Sequence, residues 1–231
     1  MYRERPSPLP GAAVWTKSPE PAPRPVLPDG CTDLIWYDGE LLVAGPDTRA
    51  HLPRPPGRTP EAPVVGLRFA PGQGPAVFGV PAHVLRDLRV PLDELWPADE
   101  VRRLAGRLAA AGAPGRVLEA AAAGRLRTGA APDPAGALIA GAAARGTPVR
   151  ELAEAVGVGE RQLHRRCLAA FGYGPKTLGR VLRLVRALEL ARAGLPYAEV
   201  AAVAGYADQA HLAREVKALA GAPLGAVLAP G

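Results

Sequence analysis

The chain has 231 residues, a formal net charge of +6 and a pI near 9.8, which suits one large or two ordinary domains and a polyanionic partner that charge alone does not identify. Cys31 and Cys167 are its only cysteines, too few for a disulfide framework or a four-cysteine zinc site, and they point to a reducing interior. Met1 to Pro6 opens on polar, proline-rich sequence without a secretory signal, and the charge-free end from Ala218 falls short of the ~20 apolar residues of a membrane span, so a cytoplasmic protein with no membrane partner is expected.

Up to about residue 96 the chain reads as strand and loop. Asp33 to Tyr37 and Glu40 to Ala44 flank Asp38-Gly39, a strong hairpin signal. Val64 to Phe69 and Ala76 to Val80 read as further strands around the turn Pro71-Gly72-Gln73-Gly74-Pro75, while the prolines between Pro46 and Pro63 indicate irregular connection. Short antiparallel strands of this kind pack naturally as a small barrel or sandwich. From Ala98 the period changes: Val101, Leu104, Ala105 and Leu108 recur at helical spacing, and a second helix runs from Gly115 to about Arg127. Thr128 to Pro134 reads as a linker, which divides the chain into residues 1–130 and 131–231.

Beyond the linker every segment is helical. Helices are expected over Ala135 to Arg145, over Val149 to Val156 with Thr147 as cap and Pro148 at the first position, and over Glu160 to Phe171. A longer helix follows Gly174-Pro175, with Leu178, Val181, Leu182, Val185 and Leu188 in one stripe. A short helix from Pro196 to Val203, a turn at Ala204-Gly205-Tyr206-Ala207 and a helix capped by Asp208 repeat the earlier design.

A short helix, a glycine turn and a longer helix, twice over, is the pattern of two helix-turn-helix units. The expected outward positions are Arg161, Gln162, His164, Arg165 and Arg166 on the first longer helix and Gln209, Ala210, His211 and Arg214 on the second. Most can bond base edges or phosphates, with Lys176 beside them; Ala210 offers only a methyl contact. His164 and His211 are taken as matching positions. Between Gly159 and Arg192 there are eight basic residues against two acidic ones, an excess as large as that of the whole chain. Eighteen residues of connecting helix, at ~1.5 Å each, span about 27 Å, enough to place two reading helices in grooves that recur every ~34 Å.

At Val200 to Lys217 these residues resemble the AraC family of transcription regulators: a Gly-Tyr turn, an Asp-Gln helix start, an apolar-x-Arg-x-apolar-Lys core, then Gly221 and Pro223. Leu212 and Val216 stand where that family usually carries aromatics, and Cys167 where it often carries Phe. The N-terminal half, with Leu27-Pro28-Asp29-Gly30-Cys31-Thr32-Asp33-Leu34, resembles uncharacterised sensor-like domains of actinobacterial members. The resemblance implies an α+β protein: a cupin-like antiparallel β-barrel followed by helices, for effector binding or dimerisation, and an all-α double helix-turn-helix domain. Its partners would be double-stranded DNA, a small-molecule effector, a second copy of the chain and, for an activator, RNA polymerase.

Cys31, Trp36 and Arg68 are the candidates for an effector pocket, with Trp15 and Trp96 as further possible lining. Cys31 is open to two readings, a buried structural cysteine or a reactive thiol; the second would make the chain a cysteine-dependent acceptor of DNA alkyl damage. A nonspecific DNA-packaging protein is the other alternative. The four histidines show no metal-ligand spacing, and no catalytic group, metal or cofactor is expected.

Overall fold

The computed structural model describes residues 1–18, 24–53 and 63–229. Six strands, β1 (Tyr2–Pro6), β2 (Ala12–Lys17), β3 (Thr32–Tyr37), β4 (Glu40–Ala44), β5 (Val64–Phe69) and β6 (Arg89–Pro91), form one antiparallel sheet in the order β1-β2-β5-β3-β4-β6. The antiparallel sheet is as expected, but among the described residues it is open, with β1 and β6 as its edges, rather than closed into a barrel. Asp38 and Gly39 both take positive φ (47° and 83°), as a primed two-residue turn between β3 and β4 demands. The sequence had not marked β1 and β2 as strands.

Cross-strand register sorts the side chains. Val14, Leu67, Leu34 and Val43 lie opposite one another on four successive strands and are all buried. This row faces α2 (Ala98–Ala109) and α3 (Pro114–Thr128), whose Leu104, Leu108, Leu118 and Ala122 complete the N-terminal core with Trp96. Ala13, Arg68, Asp33 and Ala44 form a row on the opposite face. The expected strand at 76–80 is instead a short helix, α1 (Gly74–Phe78): Pro75 fits the first helical turn and Gly79 ends it in the left-handed region.

The C-terminal half is all helical: α4 (Gly136–Ala144), α5 (Val149–Val156), α6 (Glu160–Phe171), α7 (Pro175–Arg192), α8 (Tyr197–Ala204), α9 (Gln209–Ala220) and α10 (Leu224–Leu228). Thr147 is not the cap of α5, since the structure places Pro148 there with no side-chain cap bond, and the Thr147 amide instead donates to Ala142 O at 3.1 Å. Two cores fill this half. Ile139, Leu152, Leu163, Cys167, Phe171, Leu178 and Val181 belong to one; Leu184, Leu188, Val200, Leu212, Val216 and Leu219 belong to the other. No helix among the described residues is long and apolar enough to cross a membrane.

Two features of the N-terminal half yield direct tests. Trp15 lies across from Gly66, and its indole fills the space that a Cβ at 66 would need. Gly66→Ala is therefore expected to lower stability by roughly 1–3 kcal/mol, the usual cost of overpacking, in urea unfolding followed by tryptophan fluorescence. Arg5 reaches from β1 to Glu119 on α3 with bonds of 2.8 and 3.1 Å. The hydrogen bond from Arg5 holds the Glu119 carboxyl below its ordinary range against the opposing effect of burial. A depressed carboxyl stabilises the fold fully above its unfolded value, about pH 4.3, and that contribution fades as pH falls through the lower folded value. Comparing acid unfolding of the wild type with Glu119→Gln should show a difference of up to about 1 kcal/mol at neutral pH that vanishes in acid.

Candidate nucleic-acid interface

Both short-to-long helix junctions are built alike. After α5, Gly157 N donates to Glu154 O (3.0 Å) and Val158 N to Ala153 O (3.0 Å); after α8, Gly205 N donates to Ala202 O (3.3 Å) and Tyr206 N to Ala201 O (2.8 Å). This paired bonding requires a left-handed residue, and Gly157 and Gly205 supply it with φ of 70° and 81°. The chain therefore leaves each short helix in the same direction. The repeat read from sequence is a repeat of backbone geometry.

The buried positions set the equivalence of α6 and α9: Leu163 with Leu212, Cys167 with Val216, and Ala170 with Leu219. That register pairs Arg165 with Arg214, both exposed. It also corrects the pairing of the histidines: His211 corresponds to Gln162, and His164 to Ala213. The error arose because histidine is polar and sits near the start of both helices, while only burial fixes the phase.

The groove-facing candidates fall into two groups. Arg161, Gln162, His164, Arg165 and Lys176 around the first unit, and Gln209 and Arg214 on the second, are exposed. The His164 ring lies against Gly174 at the start of α7. His211 is half-buried: its Nδ1 accepts from Ala207 N–H at 3.2 Å and its ring meets Tyr206 edge to face. An accepting Nδ1 leaves the neutral ring's proton on Nε2, so His211 keeps a donor on its other side. Asp208 caps α9 by accepting from His211 N at 2.6 Å.

Arg166 departs from the outward set. It is half-buried and its Nε lies 3.1 Å from Asp133 Oδ2 in the linker. Arg180 and Arg183, counted in the basic excess, turn instead to Glu215 on α9. Charge counting along the sequence could not separate side chains aimed at solvent from those aimed at a neighbouring helix. The Glu215 link was likewise missed, because α7 and α9 lie far apart in the chain.

The N-terminal half supports both long helices from their C-terminal ends. Arg86 donates to Gly172 O at 3.3 Å, and His83 Nδ1 lies 3.3 Å from Leu168 O, both just past the exposed part of α6. At α9 the Ala50 amide donates to Leu219 O at 2.6 Å, and Leu27 packs into the second core. A bridge between Val26 and His51 joins the two segments that make this contact.

Of the effector candidates, Cys31 and Arg68 lie close enough to interact electrostatically, while Trp36 is apart from both. Arg68 and Trp36 lie on opposite faces of the sheet, Trp36 and Trp96 being on the side of the N-terminal core. Arg68 is engaged by Asp33 at 3.2 Å and Asp29 at 3.5 Å, and Asp33 also accepts from Trp15 Nε1 at 2.6 Å. Burial pushes the Asp33 carboxyl up despite the Arg68 charge. Burial and the Asp29 charge push the half-buried Cys31 thiol well up too, the opposite of what activates a nucleophile. A cleft of about 170 Å³ lies elsewhere, between Pro75 and Ala76, linker residues 130–133, and Arg166, Ala169 and Ala170 of α6.

Comparison with known proteins bears on these two halves separately. Residues 152–229 match a family described as a helix-turn-helix domain, and residues 12–91 match a domain of unknown function, DUF6597. No curated protein sequence matches. Among solved structures, ToxT from Vibrio cholerae O395 is 9% identical, covering 94% of this chain and 96% of its own, with a TM-score of 0.48. Wild-type ToxT from Vibrio cholerae strain SCE256, solved with a bound unsaturated fatty acid, is 8% identical over 94% of each chain with a TM-score of 0.47. The chain thus joins a stretch that matches DUF6597 to one that matches a helix-turn-helix domain.

Proposed function

We propose that the protein is a sequence-specific regulator of transcription that binds duplex DNA through α6 and α9 in successive major grooves. The observation that carries this reading is the pair of identically turned units presenting Arg165 and Arg214 at equivalent exposed positions, joined by one continuous helix. An arginine at such a place can bond guanine O6 and N7 together, while Gln162 and Gln209 offer the donor and acceptor that adenine requires. Arg161, His164 and Lys176 add charge along the phosphate track, and His211 adds its Nε2 donor. Arg166 belongs to the support of α6 in the free protein.

In this reading residues 1–130 sense an effector or pair with a second copy, and 131–231 read DNA. Support for the coupling comes from the N-terminal contacts with both reading helices. The protonated state expected of the Cys31 thiol favours a structural role over alkyl transfer. Activators of this design would also touch RNA polymerase.

Selection of bound fragments from random duplex DNA by the full-length protein, followed by footprinting, tests the proposal. The expected result is a two-part site on one side of the helix; protection without any preferred sequence would make the chain a packaging protein. Arg165→Ala and Arg214→Ala should each weaken binding to that site by roughly 1–3 kcal/mol and relax the base preference at one position. An equal loss on random DNA would reassign both arginines to phosphates.

A further inference from the structure

The register of α6 and α9 places Glu215 where the first unit has Arg166. These equivalent residues share a habit: each forms an ion pair with a segment outside its own helix-turn-helix unit. Arg166 reaches back to Asp133. Glu215 reaches across to α7, where its Oε1 lies 2.8 Å from Arg180 Nε and 3.4 Å from Arg183 Nη2, and its Oε2 accepts from Arg180 Nη2 at 3.4 Å. The Glu215 side chain is only 12% exposed, so its attraction to two guanidinium groups is screened less than in a surface pair. Although burial alone would push its carboxyl up, Arg180 and Arg183 hold it below the ordinary range.

The contact continues into the turn. The Arg183 guanidinium lies over the Tyr206 ring, 4.6 Å from its centre, and Tyr206 in turn meets the His211 ring. Arg183 therefore touches both the carboxylate in the middle of α9 and the aromatic that precedes its first turn. Two points of attachment fix a direction, where one would leave a pivot.

We infer that Glu215 is a positioning residue for DNA recognition: latched to Arg180 and Arg183, it sets the direction in which α9 presents Gln209 and Arg214, and with it the separation of the two half-sites. Glu215 touches no base itself. The inference rests on the reading of α6 and α9 as DNA-binding helices. It also assigns Arg180 and Arg183 a role distinct from the phosphate contacts that their charge suggests.

The test compares DNA selected from a random library by the full-length wild type and by Glu215→Gln, which keeps size and one hydrogen bond but removes the charge. The wild type should enrich two half-sites at a single spacing. Glu215→Gln should keep the half-site of α6 and accept several spacings of the other. Its affinity for the wild-type site should fall roughly tenfold, within the range of a lost coupled contact, and its affinity for a duplex carrying only the α6 half-site should not change. Arg180→Gln cuts the same latch from the other side and should give the same broadened spacing, which keeps the test open if the first variant folds poorly. An unchanged spacing in folded variants, or an equal loss at both half-sites, overturns the inference. A wild type that enriches no sequence overturns the functional reading beneath it.

Discussion

One helix belongs to two hydrophobic cores, and the geometry of the C-terminal half depends on that sharing. Leu178 and Val181 of α7 are fully buried against the first unit, and Leu184, Ala187 and Leu188 against the second. Burying a leucine contributes about 1.5–3 kcal/mol, so neither core closes well without its part of α7. Between the two sets the backbone stays helical, with a fixed rise and twist per residue. The units are consequently separated by a rigid body, whereas a flexible linker of the same length would let them wander.

Charge is divided between holding and reaching. Arg166, Arg180 and Arg183 are committed to Asp133 and Glu215, so part of the basic excess that marks this region works inside the protein. Arg161, Arg165, Lys176 and Arg192 remain exposed around the first unit and α7. On the proposed DNA-binding reading, a smaller outward charge would neutralise fewer phosphates and give a gentler dependence on salt than the full count of basic residues suggests. The N-terminal half uses the same device in its sheet, where Arg68 is shared by Asp29 and Asp33.

Much of this arrangement was legible because its signals are local. Helical periodicity gave α5 to α9 within a residue or two of their ends, and Gly157 and Gly205 announced the turns. Locality also explains the failures. Ala76 to Phe78 has the composition of a strand, but Pro75 and Gly79 on either side make a single helical turn the better solution. In Tyr2 to Pro6 the charges and proline hide a strand, yet those residues suit an exposed sheet edge that must not pair further. The latch at Glu215 joins residues more than thirty positions apart, and nothing near Glu215 in the sequence announces it.

The hydrogen bond from Ala50 to Leu219 and the seat of Leu27 in the second core have a thermodynamic consequence. The linker near residue 130 divides the chain by composition, but contacts cross it, since Leu27 packs into a core whose buried residues begin at Leu184. Severed at the linker, the C-terminal half would lose a donor to the last turn of α9 and the leucine that seals its base. Loosening the sheet is therefore expected to weaken the footing of α9 as well.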